Sequence, residues 1–171
     1  YPKNLKKDLS ILKRLKIDYV FVPKVNDIYS YKRKKNIKLN KADLILCARF
    51  RKGHFEGVLD VMDRLTKLIC PERIFMGEKD FQQYYLVKKF LKKKYKVKVI
   101  KCRTLRTVDN VALSSRNLLL SKKNLLIASK IIKELIKFKK LLLKSKNVNQ
   151  HLSYKKKILQ KDIKLKLNTW I

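Results

Sequence analysis

Apolar residues along the chain follow two spacings, one typical of helices and the other of strands. Helical spacing occurs over Leu5–Lys16, Glu56–Ile69 and Asp80–Lys93. Short runs of β-branched and aromatic residues predict strands at Ile17–Pro23, Ala42–Phe50, Arg73–Gly77 and Val97–Cys102. Asn26–Lys41 is polar and basic, which predicts a loop. Strands that alternate with helices favour a parallel α/β sheet.

The pattern changes near residues 118–122. Lys122–Lys144 and Tyr154–Leu167 are long, Lys-rich and amphipathic, and each is predicted to form a helix. We therefore predict a boundary there, with residues 1–118 forming an α/β domain and residues 119–171 a mainly helical part.

Composition narrows the class of protein. The chain has 171 residues and 46% hydrophobic residues, enough for a core and too many for a disordered chain. It has no run of eighteen apolar residues, so no membrane partner is expected. Cys47, Cys70 and Cys102 lie far apart, which suits reduced, mostly buried thiols better than a disulfide framework or a zinc site. A cytoplasmic location is therefore expected.

The net charge of +33 raises the question of a nucleic-acid partner. The lysines are spread over nearly every segment, however, and compositional drift explains such a bias without any function. A nucleic-acid surface would also interleave aromatic and basic residues on one exposed face, whereas core positions are predicted for Phe75, Phe81, Tyr84 and Phe90. We expect no specific nucleic-acid partner, and a basic nucleic-acid-binding protein is kept as the alternative.

The stretch "GEKDFQQ" (Gly77–Gln83) joins a predicted strand to a predicted helix. Ligands of parallel α/β sheets bind at the carboxyl ends of strands, and Gly77 stands at such an end. Lys79 supplies a point charge for a phosphate, and the start of the next helix offers free N–H groups. The alternative is structural: Asp80 and Gln83 have the spacing of a capping box, and Gly77 turns the chain. The two interpretations are compatible.

Two further stretches carry candidate chemistry. In "ALSSRN", the two hydroxyls and the guanidinium of Ser114, Ser115 and Arg116 suit the oxygens of a polyphosphate. The alternative is a plain loop before the long helix, with Ser121 as its N-cap. The stretch "RKGHFEGV" contains the other two glycines and one of the two histidines, and its alternative is a turn that starts a helix.

These motifs, in this order and spacing, resemble the pantothenate synthetase (pantoate–β-alanine ligase) family. "HFEGVLDVMDRLTKLICPERIFMGEKD" and "YPKNLKKDLSILKRLKIDYVFVPKVNDIY" are similar to family segments as well. The resemblance runs from Tyr1 to about Ser121 and continues more loosely beyond. It implies a Rossmann-like nucleotidyltransferase sheet in residues 1–118 and the helical start of a small second domain in residues 119–171.

The resemblance also implies an activity. Members of the family condense (R)-pantoate with β-alanine, use ATP and Mg²⁺, pass through a pantoyl-adenylate, and release AMP and pyrophosphate. The implied partners are therefore pantoate, β-alanine and ATP, with a homodimer for the full-length protein. Another adenylyl-transferring enzyme of the same fold is the alternative, but the second glutamine of "FQQ" argues against it.

Site residues follow from the resemblance position by position. Catalytic roles are implied for Lys79, Ser114, Ser115 and Arg116. The positions that match the family's ATP site are Gly77, Glu78, Lys79, Asp80, Leu105, Leu113, Ser114, Ser115 and Arg116, with Leu105 beside the adenine. Gln83 matches a glutamine that binds pantoate, and Arg51 and His54 align with an active-site arginine and histidine. No metal ligand is assigned.

Two family features are absent from the sequence. One is a glycine- and histidine-rich phosphate-binding motif, and the other is an Asn-Pro-x-Gln-Phe tract that supplies a second pantoate-binding glutamine. The resemblance therefore implies that this chain is the middle of a longer enzyme, and the alternative is a gene that has eroded. It also implies that the isolated 171-residue chain is inactive or nearly so.

Overall fold

A computed structural model describes residues 4–29 and 37–144. The helices are α1 (Leu5–Arg14), α2 (Val25–Tyr29), α3 (Cys47–Phe50), α4 (His54–Ile69), α5 (Phe81–Lys92) and α6 (Lys122–Lys144), and the strands are β1 (Arg73–Gly77) and β2 (Lys98–Cys102). Short 3₁₀ turns form at Lys41–Asp43, Glu78–Asp80 and Ser115–Leu119. The helix predicted at Tyr154–Leu167 lies outside the described residues. Within them, no helix combines the length and apolar character that crossing a membrane requires.

The two strands form a parallel pair, with Arg73 opposite Lys98 and Gly77 opposite Cys102. The crossover between them is α5, because parallel neighbours need a long connection and a helix supplies it. This arrangement confirms the predicted α/β class with a parallel sheet. It also brings the carboxyl ends of both strands to one edge.

The core lies between α4, α5 and the sheet. From α5 it takes Leu86, Val87 and Leu91, of which the last two are fully buried. The other buried members of this apolar cluster are Ala48, Phe55, Leu59 and Val99. Each fully buried side chain of this size contributes about 1.5–3 kcal/mol of transfer free energy. These contacts hold α5 between α4 and the two strands.

One carboxylate is buried inside this packing. Asp63 of α4 is 0% exposed, and its Oδ1 accepts hydrogen bonds from Lys94 Nζ at 2.5 Å and from the Tyr95 hydroxyl at 2.7 Å. A buried charge is tolerated only when it is paired and hydrogen-bonded. The pair therefore ties the middle of α4 to the turn that follows α5.

The strand predicted at Ile17–Pro23 is wrong. These residues form no strand, and most of their side chains are exposed, with Tyr19 at 91%. A strand needs a neighbour for its N–H and C=O groups, and the described part of the chain places none beside this segment. The β-branched composition alone therefore does not decide the structure.

The strand predicted at Ala42–Phe50 is also wrong, because α5 holds this segment in a folded turn. The Gln82 side chain hydrogen-bonds the backbone of Asp43, Ile45 and Ala48. Lys89, two helical turns further on, donates to both carboxylate oxygens of Asp43 at 2.8 and 2.7 Å, which raises the pKa of Lys89. These side-chain bonds take the place of a strand ladder.

The predicted loop at Asn26–Lys41 contains part of a helix, because α2 covers Val25–Tyr29. A side-chain hydrogen bond marks the start of this helix, because the Asp27 carboxylate accepts the Lys24 N–H at 2.7 Å. The aromatic ring of Tyr29 then lies under the guanidinium of Arg64, whose carbon is 4.8 Å from the ring centroid. Such local side-chain bonds favour a turn of helix in a polar segment.

Two burial predictions need correction. Cys47, Cys70 and Cys102 are all exposed, since each stands at the end of a helix or strand and not inside it. Phe75 and Phe81 are 64% and 53% exposed, whereas Tyr84 and Phe90 pack against the core as predicted. The outer position of Phe75 follows from the alternation of β1, whose other face meets α5.

The helix predicted at Lys122–Lys144 is confirmed as α6. Ser121 accepts the Asn124 N–H at 3.2 Å, which confirms its role as N-cap. Ser129, 4% exposed, donates to the Asp109 carbonyl at 2.9 Å and so ties α6 to the segment before it. The domain boundary near residues 118–122 stays a prediction.

The Asp63–Lys94 pair generates a stability prediction. Lys94→Ala should lower the free energy of unfolding by about 1–3 kcal/mol, because it removes a charged donor from a buried carboxylate. Lys92→Ala, a nearby exposed lysine at the end of α5, is the matched control and should change it by less than about 0.5 kcal/mol. Urea unfolding measures both. Equal values for the two variants would contradict a structural role for Lys94.

Candidate active site

A groove of about 410 Å³ opens at the carboxyl ends of β1 and β2. Its lining residues are Glu78, Lys79, Phe81, Arg103, Thr104 and Arg106. The first three lie within four residues after β1 and the others within four residues after β2. The parallel register of the strands therefore brings the two sets together. The groove is therefore located where α/β sheets bind their ligands.

The groove is positively charged. Its one acidic side chain, Glu78, accepts a hydrogen bond from Lys101 Nζ at 3.1 Å, so a cation from β2 already accompanies that carboxylate. Lys79 is exposed and has no hydrogen-bond or ion-pair partner among the described residues. With Arg103 and Arg106, three cations face the groove. A multiply charged anion is the ligand that suits such a lining.

Gly77 is not required by the backbone. Its φ is −66°, which any residue adopts, and a Cβ built on it meets nothing within 4 Å. The structural alternative, in which glycine merely turns the chain, is therefore not supported. What a glycine provides here is open space beside the strand end, where a ligand can approach the backbone.

Asp80 stands at the N-cap position of α5 but makes no side-chain cap hydrogen bond. The capping box between Asp80 and Gln83, the structural alternative for this stretch, therefore does not form. A 3₁₀ turn over Glu78–Asp80 enters the helix instead. Without the side-chain cap, the first N–H groups of α5 keep their capacity to bind an anion.

The two glutamines of "FQQ" have different environments. Gln82 Nε2 donates to the Ile45 carbonyl at 2.7 Å and to the Asp43 carbonyl at 3.3 Å, while its Oε1 accepts the Ala48 N–H at 3.3 Å. The amide of Gln83 has no hydrogen-bond partner among the described residues. The Gln82 amide is therefore used in hydrogen bonds that hold the fold together, whereas the Gln83 amide has the capacity to bind a substrate.

Leu105 and Leu113, both predicted to bind ATP, are neighbours in space. The Leu113 N–H donates to the Leu105 carbonyl at 2.9 Å, next to an antiparallel bridge between Arg106 and Ala112. Their side chains are 70% and 52% exposed. Leu105 lies between two groove residues, Thr104 and Arg106, so the hairpin presents apolar surface close to the cations.

Ser114, Ser115 and Arg116 begin the turn that follows this hairpin. Ser114 Oγ accepts the Arg116 N–H at 3.2 Å and so caps the 3₁₀ turn, while Ser115 and Arg116 are exposed. Asn117 Nδ2 donates to the Ala112 carbonyl at 3.0 Å, which ties the turn back to the hairpin. None of the three predicted residues contributes to the groove lining itself.

Arg51 and His54 contact each other at the start of α4. Arg51 Nη2 donates to His54 Nδ1 at 3.2 Å, and Gly53 between them has φ +76°, a left-handed conformation that glycine adopts without strain. Burial and the nearby Arg51 charge lower the pKa of His54, which keeps the imidazole neutral near pH 7. Like the serines, these two residues are not part of the groove lining.

Sequence reasoning missed Phe81, Arg103, Thr104 and Arg106 as groove residues. A signal for two of them was present, because Arg103 and Thr104 directly follow a strand predicted to be parallel to β1. Carboxyl ends of neighbouring parallel strands share an edge. Phe81 and Arg106 lie within helix and hairpin patterns that carry no comparable signal.

The donor set does not fit a metal ion held by the protein alone. In residues 4–29 and 37–144, no group of three or more His, Cys, Asp or Glu side chains is arranged to hold one. The groove's carboxylate, Glu78, is paired with Lys101. Magnesium would depend mainly on the oxygens of a bound nucleotide.

Comparisons with known sequences agree on one family. Residues 1–169 match the family described as Pantoate-beta-alanine ligase. The pantothenate synthetase of Endomicrobium trichonymphae is 41% identical over 118 residues, which cover 68% of this chain and 42% of the relative. That of Helicobacter acinonychis is 37% identical over 139 residues, which cover 79% and 50%.

Solved structures show the same relationship. Pantothenate synthetase from Thermus thermophilus is 29% identical with a TM-score of 0.84, over 94% of this chain and 59% of that one. Pantoate-beta-alanine ligase from Francisella tularensis, solved with Beta-gamma ATP and β-alanine, is 36% identical with a TM-score of 0.73, over 78% and 52%. This chain thus spans about half the length of the relatives it matches. Over that length, it belongs to the pantoate–β-alanine ligase family.

Proposed function

We propose that the protein containing this chain condenses pantoate with β-alanine at the expense of ATP. The observation that carries the proposal is the cationic groove at the carboxyl ends of β1 and β2, which contains two of the four "GEKD" residues, Glu78 and Lys79. The Francisella tularensis relative was solved with an ATP analogue and β-alanine. A groove with three cations suits the phosphates of that nucleotide.

The proposed reaction has two steps. A carboxylate oxygen of pantoate attacks the α-phosphorus of ATP, and the bond from that phosphorus to pyrophosphate breaks. The amine of β-alanine then attacks the carbonyl carbon of the adenylate, loses a proton and expels AMP. Neither step requires a covalent bond to the protein. The protein has to stabilise the charge on the phosphates and hold the reactants close together.

Lys79 is the proposed principal cation for the first step. It is exposed in the groove and has no ion-pair partner among the described residues, so its charge is available to a ligand. Gly77 leaves open space beside it, and the uncapped start of α5 adds N–H groups. As negative charge moves to the departing pyrophosphate, the interactions of these groups with its oxygens become stronger, and the groups do not have to move.

The other substrate contacts are proposed from the same geometry. The Gln83 amide binds pantoate, since it is one residue beyond the anchored Gln82 and makes no bond to protein in the described ranges. The exposed Leu105 and Leu113 provide an apolar surface for the adenine. Ser115 and Arg116 close on the triphosphate from the turn beyond the hairpin. The neutral His54, held by Arg51, takes part in the active site of the longer protein.

Several expectations stay predictions. They are the Mg²⁺ requirement, the homodimer, the cytoplasmic location, the division into two domains and the detailed Rossmann-like nucleotidyltransferase arrangement. Inactivity of the isolated 171-residue chain is another. The nucleic-acid alternative is not favoured, because the family match covers residues 1–169 and the relatives are pantothenate synthetases. The aromatic residues do not decide the question, since Tyr84 and Phe90 pack against the core whereas Phe75 and Phe81 are exposed.

The proposed activity is tested by measuring the pyrophosphate that the full-length protein releases from ATP, with each substrate omitted in turn. Release should require ATP and pantoate, because only the carboxylate of pantoate attacks the nucleotide. Formation of AMP and pantothenate together should further require β-alanine. Pyrophosphate release that continues without pantoate would disprove the proposal.

The role of Lys79 is tested by Lys79→Ala in the same protein. The adenylation rate in a single turnover should fall about 100-fold or more, since a charge that stabilises the transition state is lost. The melting temperature should stay the same, because the side chain is exposed. Lys98→Ala, at the opposite end of β2, is the matched control. An adenylation rate equal to that of the control would rule out this role.

The two adjacent glutamines provide an internal comparison. Gln82→Ala should lower the free energy of unfolding by about 1–3 kcal/mol, because backbone groups of Ile45 and Ala48 lose their partner. Gln83→Ala should leave stability unchanged and raise the KM for pantoate more than the KM for ATP. Thermal melts and steady-state kinetics on both variants measure the difference. A Gln83→Ala protein with normal pantoate kinetics would refute the assignment.

A further inference from the structure

We propose that Arg103 and Arg106 bind the phosphate chain of the nucleotide, opposite Lys79. The inference rests on the proposed function and adds two residues to its site. Both arginines line the groove, and both come from the segment that follows β2. Since Gly77 pairs with Cys102, the residues after these positions emerge at the same edge of the sheet. The phosphates would therefore lie between cations from two different strands.

Arg103 is available to a ligand. Its side chain is exposed, and it has no hydrogen-bond or ion-pair partner among the described residues. A guanidinium presents five N–H donors in a planar fork, which matches two oxygens of one phosphate or of adjacent phosphates. Lys79 offers only a point charge. Arg103 thus adds directional binding that the lysine does not provide.

Arg106 is held in place by its own hairpin. Its Nη1 donates to the Asn110 carbonyl at 2.9 Å, and its backbone forms the antiparallel bridge with Ala112. One donor is used in this way, and the other N–H groups of the guanidinium remain for an anion. Because the side chain is already ordered, binding costs less conformational entropy than it would for a free arginine.

The electrostatic balance favours this role. Glu78 is the one acidic residue of the lining, and Lys101 already accompanies its carboxylate. The arginines therefore have no acidic partner within the groove that would compete with a phosphate. The hydrogen bond from the Leu113 N–H to the Leu105 carbonyl holds the two arms of this hairpin together. Arg106 follows Leu105 and Ser114 follows Leu113, so the two residues leave neighbouring positions. A polyphosphate on Arg106 would accordingly lie close to the chain segment that begins the Ser114–Arg116 turn.

Binding of inorganic tripolyphosphate to the full-length protein tests the inference directly. Titration calorimetry is done with enough NaCl to screen the exposed lysines. Arg103→Ala and Arg106→Ala should each raise the Kd about tenfold, the effect of losing one charge-assisted hydrogen bond. Arg106→Lys should lose part of the affinity, because it keeps the charge without the fork. Arg73→Ala, the same charge change at the far end of β1, is the control and should leave the Kd unaltered.

Equal Kd values for Arg103→Ala and Arg73→Ala would overturn the inference. Melting temperatures check each variant, and Arg103→Gln, which keeps a polar side chain, decides the matter if the alanine variant is unstable. The test is separate from that of the proposed function. A protein without pantoate-dependent pyrophosphate release would defeat the reaction, whereas unchanged tripolyphosphate binding in the arginine variants would defeat only this assignment.

Discussion

The parallel pairing of β1 with β2 is the constraint on which the candidate site depends. Parallel strands require a crossover, and α5 supplies it while burying Leu86, Val87 and Leu91 against the sheet. The crossover brings the chain back to the start of the sheet, so that β1 and β2 run in the same direction and end at the same edge. Charged residues that are distant in sequence, such as Lys79 and Arg103, then line a single groove. No local propensity produces that juxtaposition.

A second constraint acts through one face of α5. Gln82 and Lys89 lie two helical turns apart, and both reach the segment around Asp43, one through the backbone and the other through the carboxylate. This clamp uses the side chain of one glutamine and leaves its neighbour Gln83 without a partner among the described residues. Identical adjacent residues thus have different environments because successive positions of a helix point about 100° apart.

The sequence predicts the parts of this structure that are decided locally. Helices α4, α5 and α6 and strands β1 and β2 fall where periodicity places them, with ends that differ by two residues or fewer. The strands predicted at Ile17–Pro23 and Ala42–Phe50 fail for a physical reason. Whether an apolar run pairs depends on a neighbour, and the second run is instead held by side chains of Gln82 and Lys89. Those contacts are distant in sequence and leave no periodic signal.

The candidate site also combines residues that the sequence identifies with residues that only the fold brings together. Motif resemblance identifies Glu78 and Lys79 within the groove, but it also includes Arg51, His54 and the Ser114–Arg116 turn, which lie outside the groove lining. It omits Arg103 and Arg106, because their place is determined by strand register and hairpin pairing. The converse holds for Asp80, whose spacing to Gln83 predicts a cap that does not form. Spacing shows which side chains are able to meet, and packing decides which of them do.

Net charge is the least informative of these signals. A charge of +33 spread along most of the sequence attracts any polyanion weakly, and salt screens that attraction within about 10 Å. In the groove, Lys79, Arg103 and Arg106 face one volume of about 410 Å³, and one of them is already oriented by Asn110. Fixed donors around a confined anion bind more strongly than the same charges on flexible, hydrated side chains. These three residues are a small subset of the chain's cations, and the fold brings them together through the ends of two strands.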